Sequence, residues 1–454
     1  MYTYQDFIKA GSVKEGVRAA VSSHRQGDMY RTAIIADEYD RQRNTTISNI
    51  VKAMYTTSGE KVADTFGSDN RIACNYFNRL NTQRMTYSLG NGVSFCQPGE
   101  GGEDTVKERL GRTFDHDLME WGYHALIHGT CFGFWNVDRL HVFKVTEFAP
   151  LYDEDTGILK AGVRFWQLDR TRPMTYVLYE EDGYTVFRDG SGGIEEVEGK
   201  RAYVEHYSET DAGGVVVEYG ENYSTLPIIP MHGSRLKQST LVGMREAIDA
   251  YDIIRSGFAN TVQDCASIYW LVENSGGMTD KDLTRFRDKL LSMHIANIDS
   301  DGGSRVTPYT MEVPTNASKT LLDELRAGIY EAFGALDVHT IAAGATNDHI
   351  DAAYQPMDEN ADDFEHQVSV AVIQLLQLMG IDDEPVFKRN RISNEKEQVE
   401  MVMQEAPFLD RMTILRKLPN IAVEEIQAIM DASDSEAIDR LMMGVEDEEG
   451  APLP

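Results

Sequence analysis

IDAYDIIRSGFANTVQDCASIYWLV, residues 248–272, carries two seams at helical spacing. One is apolar: Ile248, Tyr251, Ile254, Phe258, Val262, Cys265 and Tyr269 recur in steps of three and four. The other is polar: Asp249, Asp252, Ser256, Asn260, Gln263 and Ser267 follow the same rhythm. The polar seam has no lysine or glutamate of the kind that covers an ordinary solvated helix face. The spacing predicts a long helix with a narrow greasy seam and a neutral-to-acidic seam of short side chains. Solvation alone does not account for that second seam.

Downstream of this helix, IYWLV reads as a strand, TDKDLTRFRDKLLSMH (279–294) as a short amphipathic helix, and 294–313 as a hairpin turning at Asp301-Gly302-Gly303. A second long helix starts near Ser318, with the stripe Leu322, Leu325, Ile329 and Phe333, and stops at Gly334. Two long helices therefore clasp a small α/β module at 268–315. Residues 337–357 show no clear period and read as a loop. A third helix is expected from Asp358 to Met379, with Phe364, Val368, Ala371, Leu375 and Met379 on one side. Asp358, Glu359, Asp362 and Asp363 in its first turns suit the positive end of the helix dipole. Short helices and an acidic tail, DEEGAPLP, complete the chain.

Upstream, residues 1–130 read mostly helical, with periodic positions from Ile34 to Ile50 and from Ile72 to Met85, the latter run stopped by the turn at 90–92. From 131 to 230 the period falls to two. HVFKVTEF, VRFWQL, TYVLYEE, YTVFRDG, AYVEHYS and GVVVEYG alternate with DEDTG, EDG, DGSGG and DAGG turns. That pattern predicts a largely antiparallel β region. The fold class is mixed α/β of the α+β kind.

A formal net charge of −31, from 74 acidic against 43 basic residues, argues against tight nucleic-acid binding, because duplexes are gripped through their phosphates by Lys and Arg. The four cysteines, Cys74, Cys96, Cys131 and Cys265, are scattered, without a CxxC pair, which argues against a disulfide framework or zinc knuckle. No basic segment with an apolar core opens the chain, so no signal peptide is expected. The most membrane-like run, SVAVIQLLQLMGI (369–381), is short and holds two glutamines.

Catalytic motifs are weak. GGIEEVEGKR (192–201) has five residues between Gly193 and Gly199 where a phosphate loop has four, and Arg201 stands where Ser or Thr would hold magnesium. It reads as a hairpin turn. HALIH sets His124 and His128 one turn apart, the spacing of a metal pair, but without a general-base glutamate or an evident third ligand. DEDTG (153–157) starts like a calcium loop and lacks its twelfth-position glutamate. No nucleophile elbow or nucleophilic triad is visible, so no catalytic or metal residue and no cofactor is assigned.

The order of motifs resembles the portal proteins of tailed bacteriophages, of the SPP1 type. EYDRQRNTTI (38–47), NRIACNYFNRLNTQRMTYSLGNGVSF (70–95), STLPIIPMHGSRLKQSTLVGMREAIDAYDIIRSGFAN (224–260), FKRNRISNEKEQVEMV and LRKLPNI (387–420) carry the likeness. It implies a portal fold: wing 1–240, stem helix 241–267, clip 268–315, second stem helix 316–336, tunnel loop 337–357, long wing helix and return strand 358–393, crown and acidic tail 394–454. It implies a ring of twelve copies at one capsid vertex of the virion, assembled in the host cytoplasm. It further implies passage of double-stranded DNA, with docking to the terminase large subunit, the major capsid and scaffolding proteins and a head–tail adaptor, and no membrane role.

Under that resemblance the polar seam Asp249, Asp252, Ser256, Asn260, Gln263 and Ser267 is expected to face the channel. Ile248, Tyr251, Ile254, Phe258 and Val262 are expected to pack against a neighbouring subunit. The tunnel loop would present His339, Thr340, Thr346, Asn347, Asp348 and His349, although AAGATNDHIDAAY departs from the pattern that relatives carry there. Trp270, Arg285 and Arg287 would form the docking surface of the clip. Two other readings compete: another ring or adaptor protein of the virion, and a soluble metal-dependent enzyme built on His124 and His128.

Overall fold

The computed structural model describes residues 2–55, 59–63, 68–95, 105–190, 192–209, 215–265, 269–273, 279, 281–282, 284–286, 288, 305–309, 315–338, 347–391, 402–404 and 414. The helices are α1 Tyr4–Ile8, α2 Val13–Gln26, α3 Asp28–Asp40, α4 Thr45–Asn49, α5 Tyr76–Leu89, α6 Thr105–Leu110, α7 Phe114–His128, α8 Arg245–Cys265, α9 Thr315–Phe333 and α10 Asn347–Leu378. The strands are β1 Ala53–Tyr55, β2 Lys61–Ala63, β3 Val93–Phe95, β4 Thr130–Asn136, β5 Arg139–Lys144, β6 Phe148–Tyr152, β7 Leu159–Trp166 and β8 Thr175–Glu180. β9 Gly183–Gly190, β10 Gly193–Arg201, β11 Val204–Glu209, β12 Val215–Glu221, β13 Ile228–His232, β14 Tyr269–Glu273, β15 Arg305–Tyr309 and β16 Pro385–Phe387 follow.

The β region divides into a five-stranded meander, β10-β9-β8-β7-β6, a three-stranded sheet, β13-β4-β5, and a β11-β12 ribbon, all antiparallel. Alternation orients the meander: Ala161, Val163 and Phe165 on β7 turn inward with Tyr176, Leu178 and Phe187, and α1 and α2 cover them through Phe7, Val17, Ala20 and Val21. The expected phosphate-loop lookalike is no turn. Residues 193–201 are β10 itself, paired with β9 from Gly193↔Gly190 onward, with the register shifting on either side of Glu198.

The main core forms where α7 and α10 both pack with the three-stranded sheet. Trp121, fully buried, donates its Nε1–H to the Cys131 carbonyl at 3.1 Å, so the indole is anchored as well as packed. Leu118, Ala125, Phe364, Val368, Val372 and Leu375 complete this cluster.

The third helix is longer than its sequence suggests. The stretch 347–357, read as loop, is the first third of α10, which runs through Pro356. Proline costs a helix one hydrogen bond and crowds the preceding turn. Here Ile350, Tyr354, Met357 and Ala361 bury one stripe against Tyr87 and Leu336. Tyr354 stacks on Tyr87 with ring centroids 5.6 Å apart. That burial outweighs the proline penalty. The predicted helix at Ile34–Ile50 is instead two, α3 and α4, broken where Gln42 takes a positive φ of 58°. β15 pairs with β14 antiparallel, so residues 269–273 find their partner strand at 305–309, across a long connection.

Candidate functional site: the stem helices and what their seams touch

On α8 the polar seam meets the chain itself. Three seam residues, with Asp264 one turn beyond Asn260 and outside the seam as read from the sequence, accept alternate backbone amides of residues 68–74. Asp264 Oδ1 accepts from Ser68 N at 3.2 Å, and Asn260 Oδ1 from Asn70 N at 2.7 Å. Ser256 Oγ accepts from Ile72 N at 3.0 Å, and Asp252 Oδ1 from Cys74 N at 2.8 Å. The geometry follows from two periodicities. Four helical residues rise about 6.0 Å, and two residues of extended chain advance about 6.6 Å. Side chains one turn apart on the helix therefore keep step with every second amide of the segment.

The seam also binds side chains. Asp249 accepts from Tyr39 OH at 2.5 Å and Thr46 Oγ1 at 2.6 Å. Asp252 Oδ2 accepts from Asn44 Nδ2 at 2.5 Å, and Gln263 Oε1 from Asn70 Nδ2 at 2.7 Å. Asp252 is fully buried, and burial pushes its carboxyl above the ordinary range while the bonds from Asn44 and Cys74 pull it back.

The residues expected to face the channel, Ser267 apart, thus have hydrogen-bond partners within the chain. Asp252, Ser256 and Asn260 are buried, and Asp249 is half-buried with both oxygens occupied, so none of the four faces open water. Short polar side chains suit this seam because they are backbone acceptors at close range; lysine would present a donor to a row of donors. Gln263 stays exposed, and Ser267 lies outside the described residues.

The apolar seam is likewise used within the chain over its first turns. Ile248 is buried among Tyr39, Leu241, Ile329, Tyr330 and Phe333. Tyr251 meets Tyr76 edge-on at 5.1 Å, and Tyr76 meets Tyr330 at 6.1 Å. Thus Ile248 and Tyr251 pack on α5 and α9 of their own chain, since α9 runs beside α8 on that side. Ile254 and Phe258 are half-buried, and Val262 is exposed.

A third face of α8, unmarked by any run of strongly polar or apolar residues, is left open: Glu246, Ile253 and Gly257 are exposed beside half-buried Ala250 and Thr261. On α9 the open face carries Leu321, Glu324, Ala327, Gly328 and Glu331. Ile253 and Leu321 expose 42% and 43% of their surface.

Of the other expected positions, Asp348 and His349 lie exposed in the first turn of α10, while Asn347 begins that helix. His339, Thr340 and Thr346 lie outside the described residues, as does Arg287. Trp270 sits on β14 opposite Pro308. Arg285 is exposed, with Asp282 4.0 Å away.

The histidine pair is structural in its surroundings. His124 and His128 stack at 5.5 Å; His128 Nε2 lies 2.8 Å from Asp37 Oδ1, and His124 Nε2 lies 3.4 Å from Glu120 Oε2. Burial, with Lys144 and His128 nearby, lowers the His124 pKa to about 3. No group of three or more His, Cys, Asp or Glu side chains among the described residues is placed to hold a metal ion. The DEDTG stretch is a turn in which Asp153 Oδ1 accepts from the amides of Asp155 and Thr156. No described helix is long and apolar enough to cross a membrane.

Comparison with known proteins agrees with the motif order. The family model of phage portal proteins, SPP1 Gp6-like, matches residues 34–439. The portal protein of Clostridium phage phiCD119 is 26% identical over 403 residues, covering 80% of this chain and 84% of the relative. The portal protein of Bacillus phage SPP1 is 22% identical over 379 residues, covering 78% and 73%. Among solved structures, an HK97 family phage portal protein from Corynebacterium diphtheriae aligns with 68% of this chain and 90% of its own, at 11% identity and a TM-score of 0.33. The family match runs through α8, α9 and the 68–74 segment, and the chain accordingly belongs to the SPP1 Gp6-like family of phage portal proteins and has a portal function.

Proposed function

We propose that this portal chain is one subunit of a closed ring, twelve copies by its family likeness, set at one capsid vertex and passing double-stranded DNA inward during packaging and outward during ejection. The ring assembles in the host cytoplasm. It docks the terminase large subunit, the major capsid and scaffolding proteins and, later, a head–tail adaptor. It has no catalytic site and needs no cofactor.

The observation that supports this reading is the open face of the stem. Each stem helix is satisfied on its inward side, yet Ile253 and Leu321 remain exposed among small residues. Exposed aliphatics flanked by Ala250, Gly257, Ala327 and Gly328 suit the close approach of another helix, and a heterologous contact repeated by rotation closes a ring. Glu324 and Glu331, which share the open face of α9 with Leu321, then take the place of the α8 seam at the channel wall. Carboxylates repel phosphate and let the duplex slide. Asp348, His349 and the preceding His339, Thr340, Thr346 and Asn347 stand nearer the passing DNA, and Trp270, Arg285 and Arg287 serve the motor and adaptor at the clip.

The test is the particle itself. Negative-stain images and mass photometry of the purified chain should show annular oligomers, and Ile253→Asp with Leu321→Asp should leave folded, smaller species. A 51.0 kDa monomer at every concentration would sink the proposal.

A further inference from the structure

The first 33 residues precede the range matched by the family model, and they reverse the charge of the rest: five Lys or Arg against three Asp or Glu, in a chain of net −31. Their helix α2 lays Val17, Ala20 and Val21 on the meander and turns Lys14, Arg18, Ser22, Arg25 and Gln26 outward on one face. Arg18, Ser22, Arg25 and Gln26 line an open cleft of about 350 Å³ whose floor includes Val21 and Tyr176.

Neither arginine has a carboxylate within ion-pair distance among the described residues. Arg25 is held by the molecule all the same: its guanidinium lies 4.8 Å over the Phe165 ring and donates to Met174 Sδ at 3.3 Å. Two acidic groups border the cleft. Glu15 stands on the same helix, and Asp189 accepts from Tyr176 OH at 3.3 Å.

We propose that this cleft is a docking site for an acidic protein segment, with Arg18 and Arg25 each taking a carboxylate. The two arginines are seven residues apart on α2, about 10 Å along the axis, a span that suits carboxylates two turns apart on a helix or a few residues apart in an extended peptide. Ser22 and Gln26 add donors beside them. Duplex DNA fits less well: its grip needs a track of many basic contacts, whereas this cleft offers two guanidiniums flanked by Asp189. The chain as a whole, strongly acidic, repels an acidic ligand, so loss of binding on reversing Arg18 and Arg25 is what identifies the cleft.

The probe is a fluorescein-labelled peptide of repeated Glu-Asp-Glu-Glu, titrated against the full chain and followed by anisotropy. Saturable binding that weakens by about tenfold or more in Arg18→Glu/Arg25→Glu, and with added salt, is the expected result. Arg18→Ser, which removes one exposed charge and leaves Arg25 on Phe165, should weaken it less, with unchanged circular dichroism. Equal binding by the double variant, no binding by the parent chain, or preference for a duplex oligonucleotide of matched charge each overturns the proposal. None of these readouts depends on ring formation or packaging.

Discussion

Replacing Asp252 with alanine separates the two readings of the α8 seam. In the channel reading the carboxylate stands in water, and its loss changes stability by no more than about 0.5 kcal/mol. In the structure, Asp252→Ala strips the acceptor from the buried Cys74 amide and from Asn44 Nδ2. Each hydrogen bond to a charged group contributes about 1.5–3 kcal/mol. Removing a buried carboxylate relieves part of that loss, since burial disfavours its ionised form. The net cost is about 2–4 kcal/mol. It should concentrate in residues 68–74, whose amides would exchange with deuterium roughly 30- to 1,000-fold faster at about 1.4 kcal/mol per decade. Asp252→Asn should cost less, because it keeps an acceptor for the Cys74 amide, and the unpartnered Asn44 Oδ1 can turn to meet the new donor. Exchange mass spectrometry of the 68–74 peptide reads both variants. Wild-type exchange in Asp252→Ala would refute the intrachain seam and return Asp252 to the channel.

Three further outcomes can be checked. Gly162→Ala would place a methyl 2.1 Å from the Phe148 ring, so thermal unfolding should fall by about 1–3 kcal/mol of overpacking, while Gly199→Ala, with nothing nearer than 3.9 Å, should melt close to wild type. His124 has a folded pKa of about 3, below its unfolded value of 6.5; its neutral form supports the fold above pH 6.5, and that support drains as pH falls toward 3. Chemical denaturation at pH 7 and 4.5 should show a smaller acid loss in His124→Gln than in the parent. Asp358 is lowered: burial opposes its charge, but hydrogen bonds from Tyr87 and Arg391 and the charges of Arg391 and Arg389 outweigh that. Its bonds should therefore hold at pH 5 and fail below the ordinary carboxylate range near 3.8, with the 388–391 segment gaining protease sensitivity there, and Arg391→Ala should show that sensitivity already at pH 7.

The β region was legible because alternation and turn residues are local signals. DEDTG and EDG fall where β6 meets β7 and β8 meets β9. His124 and His128 carried two readings in the sequence, a metal pair and two helix histidines; their stacking in the core came only with the fold. The start of α10 was not. Ile350, Tyr354 and Met357 look too sparse for a helix, and Pro356 argues against one, until Tyr87 and Leu336 arrive from elsewhere to bury them. DGSGGIEEVEGKR misled in the opposite direction, since its glycines suggested a turn where β9 supplied a pairing partner for most of its length. The segment at 68–74 carries no pattern of its own; only its alternate amides matter, and amides are present in every residue but proline.

Periodicity by itself established that residues 248–265 form a helix with one oily side and one side of compact acceptors, and motif order established the family. Which surfaces those sides meet was decided by folding alone. A helix repeat specifies where side chains point around an axis, but the partner of Asp252 lies 178 residues earlier and is a backbone amide without sequence signature. The tertiary structure gave both marked seams to the same chain over much of their length and left the unmarked third face, with Ile253, for whatever stands alongside.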